Sequence, residues 1–177
     1  MTSPPAQSTA PLVDAQRFRD AMAQLAAPLA VVTTVDEDGR RWGFTASSVV
    51  SVSLDPPLLL VGLSRSSSCH RALVSSGEFV VNVLGEQHRA VAQRFATHGV
   101  DRFAGGGFTT WPGTDLPCLP DAPAVFRCVT GEALPAGDHD LLLGALRDTR
   151  IAPQASAAGT ALLWYGRTFC AVPAPRP

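Results

Sequence analysis

Two spacings of apolar residues divide this chain. After Asp14, apolar side chains return at Phe18, Met22 and Leu25, one face of a short helix capped by Asp14 and ended by Pro28. From Leu29 to Val35 the pattern becomes that of a strand. Asp36-Glu37-Asp38-Gly39 is a turn, and Arg41 to Leu54 reads as a long returning strand kinked at Thr45–Ser48. That is hairpin logic, and it predicts antiparallel pairing. Leu58 to Leu63 is a third, buried strand. Ser67 to Val74 reads as a short helix stopped by Gly77. In Glu78 to Leu84, Phe79, Val81 and Val83 alternate with Val80, Asn82 and Leu84, so both faces of that strand are covered. Glu86 to His98 is a helix with Val91 and Phe95 on one side and Gly99 as its C-cap. Trp111 to Pro123 is a loop rich in proline and glycine. Pro123 to Glu132, Asp140 to Ile151 and Ala161 to Ala171 supply the remaining strands.

Roughly six or seven strands with few, short helices predict a mainly β domain built as a closed or split antiparallel barrel. Residues 12–172 form this domain. The Pro-rich ends, 1–11 and 173–177, are expected to be flexible tails. No internal repeat is present.

Composition narrows the function classes. The chain has 177 residues, 46 % hydrophobic and 16 % charged, with a net charge of −1. One domain with a real core is implied, and the low surface charge suits self-association. A nucleic-acid partner lacks its electrostatic footprint. All 14 basic residues are arginine, which excludes a Walker-type phosphate loop and Schiff-base lysine chemistry. The four cysteines and four histidines are scattered, without metal-ligand spacing. The first residues lack the charged and apolar regions of a signal peptide, and the apolar run at Leu58–Leu63 is far shorter than a membrane span. A cytoplasmic protein with reduced thiols, no membrane partner and no resident metal is expected.

The candidate chemistry lies at two hydroxyl-rich junctions. Gly43-Phe44-Thr45-Ala46-Ser47-Ser48 leads into the alternating run Val50-Ser51-Val52-Ser53-Leu54, and Ser64-Arg65-Ser66-Ser67-Ser68 opens the second helix. Hydroxyls, an arginine and a helix start suit a phosphate-bearing ligand, although the same hydroxyls could simply cap turns. Gly105-Gly106-Gly107 is not a G-x-G-x-x-G fingerprint and does not join a strand to a helix, so a Rossmann site is not expected. There is no G-x-S-x-G elbow, and Asp36, Glu37 and Asp38 form a solvated turn tip.

The ordered series Phe18, Gly43–Ser48, Asp55-Pro56-Pro57-Leu58, Phe79–Leu84, Arg94-Phe95-Ala96, Asp101-Arg102-Phe103-Ala104-Gly105 and Gly137-Asp138-His139 resembles the short-chain flavin reductase family, over roughly Asp14 to Phe169. The resemblance implies a homodimeric, flavin-binding split barrel. It implies hydride transfer from NADH or NADPH to FAD or FMN, with reduced flavin supplied to a partner monooxygenase. On this basis Thr45 and Ala46 would meet the isoalloxazine through backbone groups, and Ser47 and Ser48 the phosphate or ribityl oxygens. Ser64, Arg65, Ser68 and Cys69 would form the second binding segment, with Cys69 a weaker donor than the family's usual residue. Phe95 would lie near the flavin. His139 would stand where the nicotinamide docks, with Tyr165 and Arg167 lining the same pocket. As neighbours on a regular strand, Asp138 and His139 would point apart. Two alternatives are a flavin-binding barrel without reductase turnover, such as a flavin carrier or a pyridoxine phosphate oxidase-like enzyme, and an inactive interaction subunit.

Overall fold

Antiparallel pairing dominates a computed structural model that describes residues 12–152 and 160–173. Of the tails expected at 1–11 and 173–177, all but Pro173 lie outside those residues. Asp14 caps α1 (Ala15–Met22), its carboxylate accepting the Gln16 and Arg17 N–H groups at 2.9 Å. Next come β1 (Ala27–Pro28), β2 (Ala30–Val35), β3 (Arg41–Ala46), β4 (Val49–Leu54) and β5 (Pro57–Ser64). They are followed by α2 (His70–Ser75), β6 (Glu78–Val83), a 3-10 turn at Glu86–His88 and α3 (Arg89–Ala96). The chain continues through β7 (Thr109–Thr110), β8 (Pro117–Cys118), β9 (Ala124–Ala136), β10 (His139–Ile151), β11 (Ala161–Tyr165) and β12 (Thr168–Val172). No helix among the described residues is long and apolar enough to cross a membrane.

Seven strands form one sheet in the order β3-β2-β6-β9-β10-β5-β4. β3 and β4 therefore stand at opposite edges, yet only Ser47 and Ser48 separate them in sequence. The sheet must roll until its two edges come within reach of that short link. It stops short of a closed barrel, because β3 and β4 do not pair. This also corrects the single kinked strand expected over Arg41–Leu54: the chain breaks at Ser47–Ser48 and changes edges. The interior of the roll holds Val32, Val61, Leu63, Leu73, Phe79, Val81 and Leu142, none more than 1 % exposed. A second core, on the other side of the sheet, packs Phe95 against Phe103 and Phe108 at centroid distances of 5.1 and 5.2 Å.

Three expected boundaries shift. The second helix starts at His70, since Arg65–Cys69 is used up in turns. α3 ends at Ala96 with Thr97 as its cap, and Gly99 takes its positive φ of 74° in the loop beyond. The Trp111–Pro123 loop contains β8, paired with β7. The apolar stripe of α1 is real but faces outward: Phe18 is 55 % and Met22 47 % exposed. Across the molecule, β4 presents Val50, Val52 and Leu54 to solvent.

Candidate active site

The link between the two sheet edges forms one wall of a cleft of about 280 Å³. β3 contributes Thr45 and Ala46. Because β3 is an edge strand, paired only with β2, its outer row of backbone groups is free of ladder partners. The Thr45 hydroxyl is already committed, donating to the Ala92 carbonyl at 2.6 Å, so backbone groups are what this residue offers the cleft. Ser48 turns back onto β5, where the Gly62 N–H donates to its Oγ at 3.2 Å. A Cβ at Gly62 would meet that Oγ at 2.7 Å and displace the Ser48 side chain, so glycine here lets the link lie against β5. Ser47 is exposed and makes no side-chain hydrogen bond among the described residues.

The second wall is the turn after β5. Ser64 Oγ lies 2.9 Å from Ser66 Oγ, and Ser67 Oγ accepts the Cys69 N–H at 3.3 Å. His139 faces this turn because β10 pairs with β5 in a register that sets it opposite Ser64. Gly137-Asp138 is the two-residue hairpin turn between β9 and β10, with Gly137 at φ 64°. Asp138 lies in that turn and not on a regular strand, where the two side chains would point apart, so its carboxylate reaches His139 Nδ1 at 2.7 Å. That hydrogen bond holds the Asp138 carboxyl below its usual value. It also orients the ring, whose other nitrogen makes no hydrogen bond among the described residues.

The structure thus brings Thr45, Ala46, Ser47, Ser48, Ser64, Phe95 and His139 to one cleft. The other predicted residues lie elsewhere. Arg65 is tied to Asp140, donating from Nε and a terminal nitrogen at 2.9 and 2.8 Å. Ser68 lines a neighbouring chamber. Cys69 is fully buried beneath the cleft floor, its thiol donating to the Gly43 carbonyl at 3.0 Å. Phe95 lines the cleft while belonging to the core. Tyr165 and Arg167 sit on the β11–β12 hairpin, away from the cleft in the single chain, and Arg167 pairs with Asp20 of α1.

Ser66 and Ser67 of the second hydroxyl cluster also line the cleft, as do Arg102 and His98, to which sequence reasoning gave no role. It likewise missed the Asp140 carboxylate, which accepts from Arg65 and pairs with His70 Nε2 at 2.6 Å. These contacts, Arg65 first, hold the Asp140 carboxyl below its usual value against the opposing effect of burial. Arg102 belonged to a quoted motif, but its role depends on contacts with segments more than 30 residues away. Among the described residues no cluster of histidine, cysteine or carboxylate side chains suits a metal ion.

Edge-strand backbone, a run of hydroxyls and an imidazole oriented by Asp138 thus line one cleft. The sequence profile of the flavin reductase-like domain matches residues 22–173, and the chain belongs to that family. It is 58 % identical to the NADH:riboflavin 5′-phosphate oxidoreductase of Streptomyces pristinaespiralis, over 90 % of this chain and 89 % of that protein. Two solved structures share the fold. The Streptomyces globisporus NADH:FAD oxidoreductase SgcE6, in complex with NAD and FAD fragments, superposes with a TM-score of 0.80 at 28 % identity, covering 91 % of this chain and 96 % of its own. The styrene monooxygenase flavin reductase of Pseudomonas putida S12 gives 0.79 at 30 % identity, covering 90 % and 99 %.

Proposed function

We propose that this protein is an NAD(P)H-dependent flavin reductase. It passes a hydride from the pyridine nucleotide to FAD or FMN and supplies the reduced flavin to a partner monooxygenase. The observation that carries this reading is the meeting of Thr45–Ser48, the Ser64–Ser67 turn and His139 in one cleft. The residues fit a flavin on chemical grounds. The free edge of β3 offers backbone donors and acceptors to a heteroaromatic ring, and Ser47 and Ser64 offer hydroxyl donors to phosphate or ribityl oxygens. Arg102, whose buried Nε has no hydrogen-bond partner, adds positive charge.

The bound flavin supplies the redox chemistry as a hydride acceptor. The chain's own residues bind, orient and exclude water. His139, steadied by Asp138, would position the nicotinamide through its other ring nitrogen. Asp140 holds Arg65 and His70, and the Arg65 N–H donates to the Asp138 carbonyl at 3.1 Å. The serine turn and the histidine turn are thereby pinned together, so the two ligands would be presented by one rigid unit.

A homodimer, each chain a flavin-binding split barrel, is part of the proposal. Supporting it are the outward apolar faces of α1 and β4. An eight-residue helix with no buried residue gains too little from its own hydrogen bonds to persist alone. A cytoplasmic location agrees with four free cysteines.

NADH consumption in aerobic buffer, with and without added FAD or FMN, tests the function. Flavin-dependent turnover supports the reductase. Flavin binding without turnover points to a carrier or oxidase-like barrel, and neither to an interaction subunit.

A further inference from the structure

A chain of polar contacts starts on α2, outside the cleft, and ends at His139. We propose that His70 is a positioning residue for hydride transfer: by occupying one oxygen of Asp140 it fixes how Arg65 binds the other, and through Arg65 it fixes where His139 stands. The inference rests on the flavin reductase reading of the cleft.

His70 is a firm point in the fold. Its helix is short, but Ala72 and Leu73 are buried, and Leu73 belongs to the core inside the roll. The His70 N–H also donates to the Ser67 carbonyl at 3.0 Å, which ties the helix start to the serine turn. His139 has no such footing. It is the first residue of β10, beside a turn whose Asp138 side chain is 94 % exposed. What steadies it must reach it from other elements.

Asp140 supplies that reach. It follows His139 and stands on the buried face of β10 with Leu142. Arg65 first, and then His70, hold its carboxyl below the usual value, so near neutral pH it is a carboxylate that only accepts. His70 therefore carries the shared proton on Nε2, 2.6 Å from Oδ2. With Oδ2 occupied, Arg65 places both its Nε and a terminal nitrogen on Oδ1, at 2.9 and 2.8 Å. An arginine facing an unoccupied carboxylate favours the fork in which each nitrogen takes its own oxygen. His70 keeps Arg65 from that fork. Without it the carboxylate would turn to offer both oxygens, and the turn that carries Arg65 would follow. The Arg65 backbone N–H donates to the Asp138 carbonyl at 3.1 Å, and the Asp138 carboxylate orients the His139 ring at 2.7 Å. A shift at Arg65 thus reaches the imidazole through a single residue.

A double-mutant cycle between His70 and His139 tests this, read as turnover at saturating NADH and flavin. His70→Leu removes the donor, whereas His70→Gln keeps an amide N–H near the place of Nε2. Misplacing a positioned group by about 1 Å can cost about a hundredfold in rate, so a partial shift in His70→Leu should lower turnover roughly tenfold. His70→Gln should recover most of that loss. In the His139→Ala background, His70→Leu should cost less than about twofold, because the group it positions is gone. An equal loss in both backgrounds would make His70 a purely structural residue and overturn the proposal. Wild-type turnover in His70→Leu would overturn it as well. If circular dichroism shows that His70→Leu does not fold, His70→Asn, whose amide falls short of Asp140, replaces it in the cycle. Wild-type protein that reduces no flavin would instead overturn the underlying reading of the cleft.

Discussion

The Arg65 guanidinium and the Asp140 carboxylate join the serine turn after β5 to the strand that carries His139. Two hydrogen bonds, at 2.9 and 2.8 Å, converge on one carboxylate oxygen, leaving the other for His70. Asp140→Asn removes the charge that holds both partners and should loosen the two turns against each other. A carboxyl held below its usual 3.8 stabilises the fold above that pH, and this stabilisation disappears as the carboxyl protonates in acid. The variant should therefore melt several degrees lower than wild type near neutral pH, and the difference should shrink as the pH falls below about 4 and vanish only once the folded-state carboxyl, held lower still, is protonated. Thermal melts across that range check it; a difference that persists undiminished in acid would mean that the charge is not what Asp140 contributes.

Ser47 and Ser48 form the two-residue link between edge strands β3 and β4, and their hydroxyls are the proposed contacts to a phosphate or ribityl chain. A hydrogen bond to a charged group is worth about 1.5–3 kcal/mol. The Ser47→Ala/Ser48→Ala protein should bind flavin at least roughly tenfold more weakly in a fluorescence titration. Because Ser48 also accepts the Gly62 N–H, a circular dichroism melt separates lost binding from lost packing. Unchanged affinity would leave these serines as turn residues only.

Much of this architecture was legible in the residue pattern. β2, the Asp36–Gly39 turn and the start of β3 follow from alternation and turn chemistry, which are local signals. The Ser47–Ser48 pair interrupts the alternation and reads as a kink, but the change of edge was not legible, because only the distant pairing of β4 with β5 exposes it. Periodicity likewise found the apolar face of α1 but not that it points outward, since spacing defines a face and says nothing of what covers it. The residues that meet in the cleft could be named from an ordered set of motifs. The Asp140 clamp could not, for its partners lie 75 and 70 positions away in sequence. Arg102 was hidden for the same reason.

The outward face of α1 needs a partner surface, and a second copy of the chain is the proposed one. Phe18→Glu/Met22→Glu places charge on that face without touching a buried position. Wild type should sediment as a dimer at micromolar concentration, and the variant should shift toward monomer. A wild-type monomer would count against the homodimer.

His139 should matter for the pyridine nucleotide and not for flavin affinity. Its ring is oriented by Asp138 and opens on the cleft beside Ser64. His139→Ala should raise the NADH Michaelis constant, lower turnover, or both, with losses in rate of up to about a hundredfold from positioning alone. Flavin affinity and melting temperature should stay at wild-type values. Normal NADH kinetics in this variant would return the histidine to the role of a turn residue.

The most direct measurement is anaerobic mixing of the protein with NADH and FAD or FMN while the flavin's visible absorption is followed. With no oxygen present, the colour reports only whether hydride has reached the flavin. Rapid bleaching that depends on the protein, slowed in His139→Ala, is the expected result. A flavin that binds but stays oxidised over many times the free-solution reaction time, with NADH and NADPH alike, would contradict the assignment as a flavin reductase.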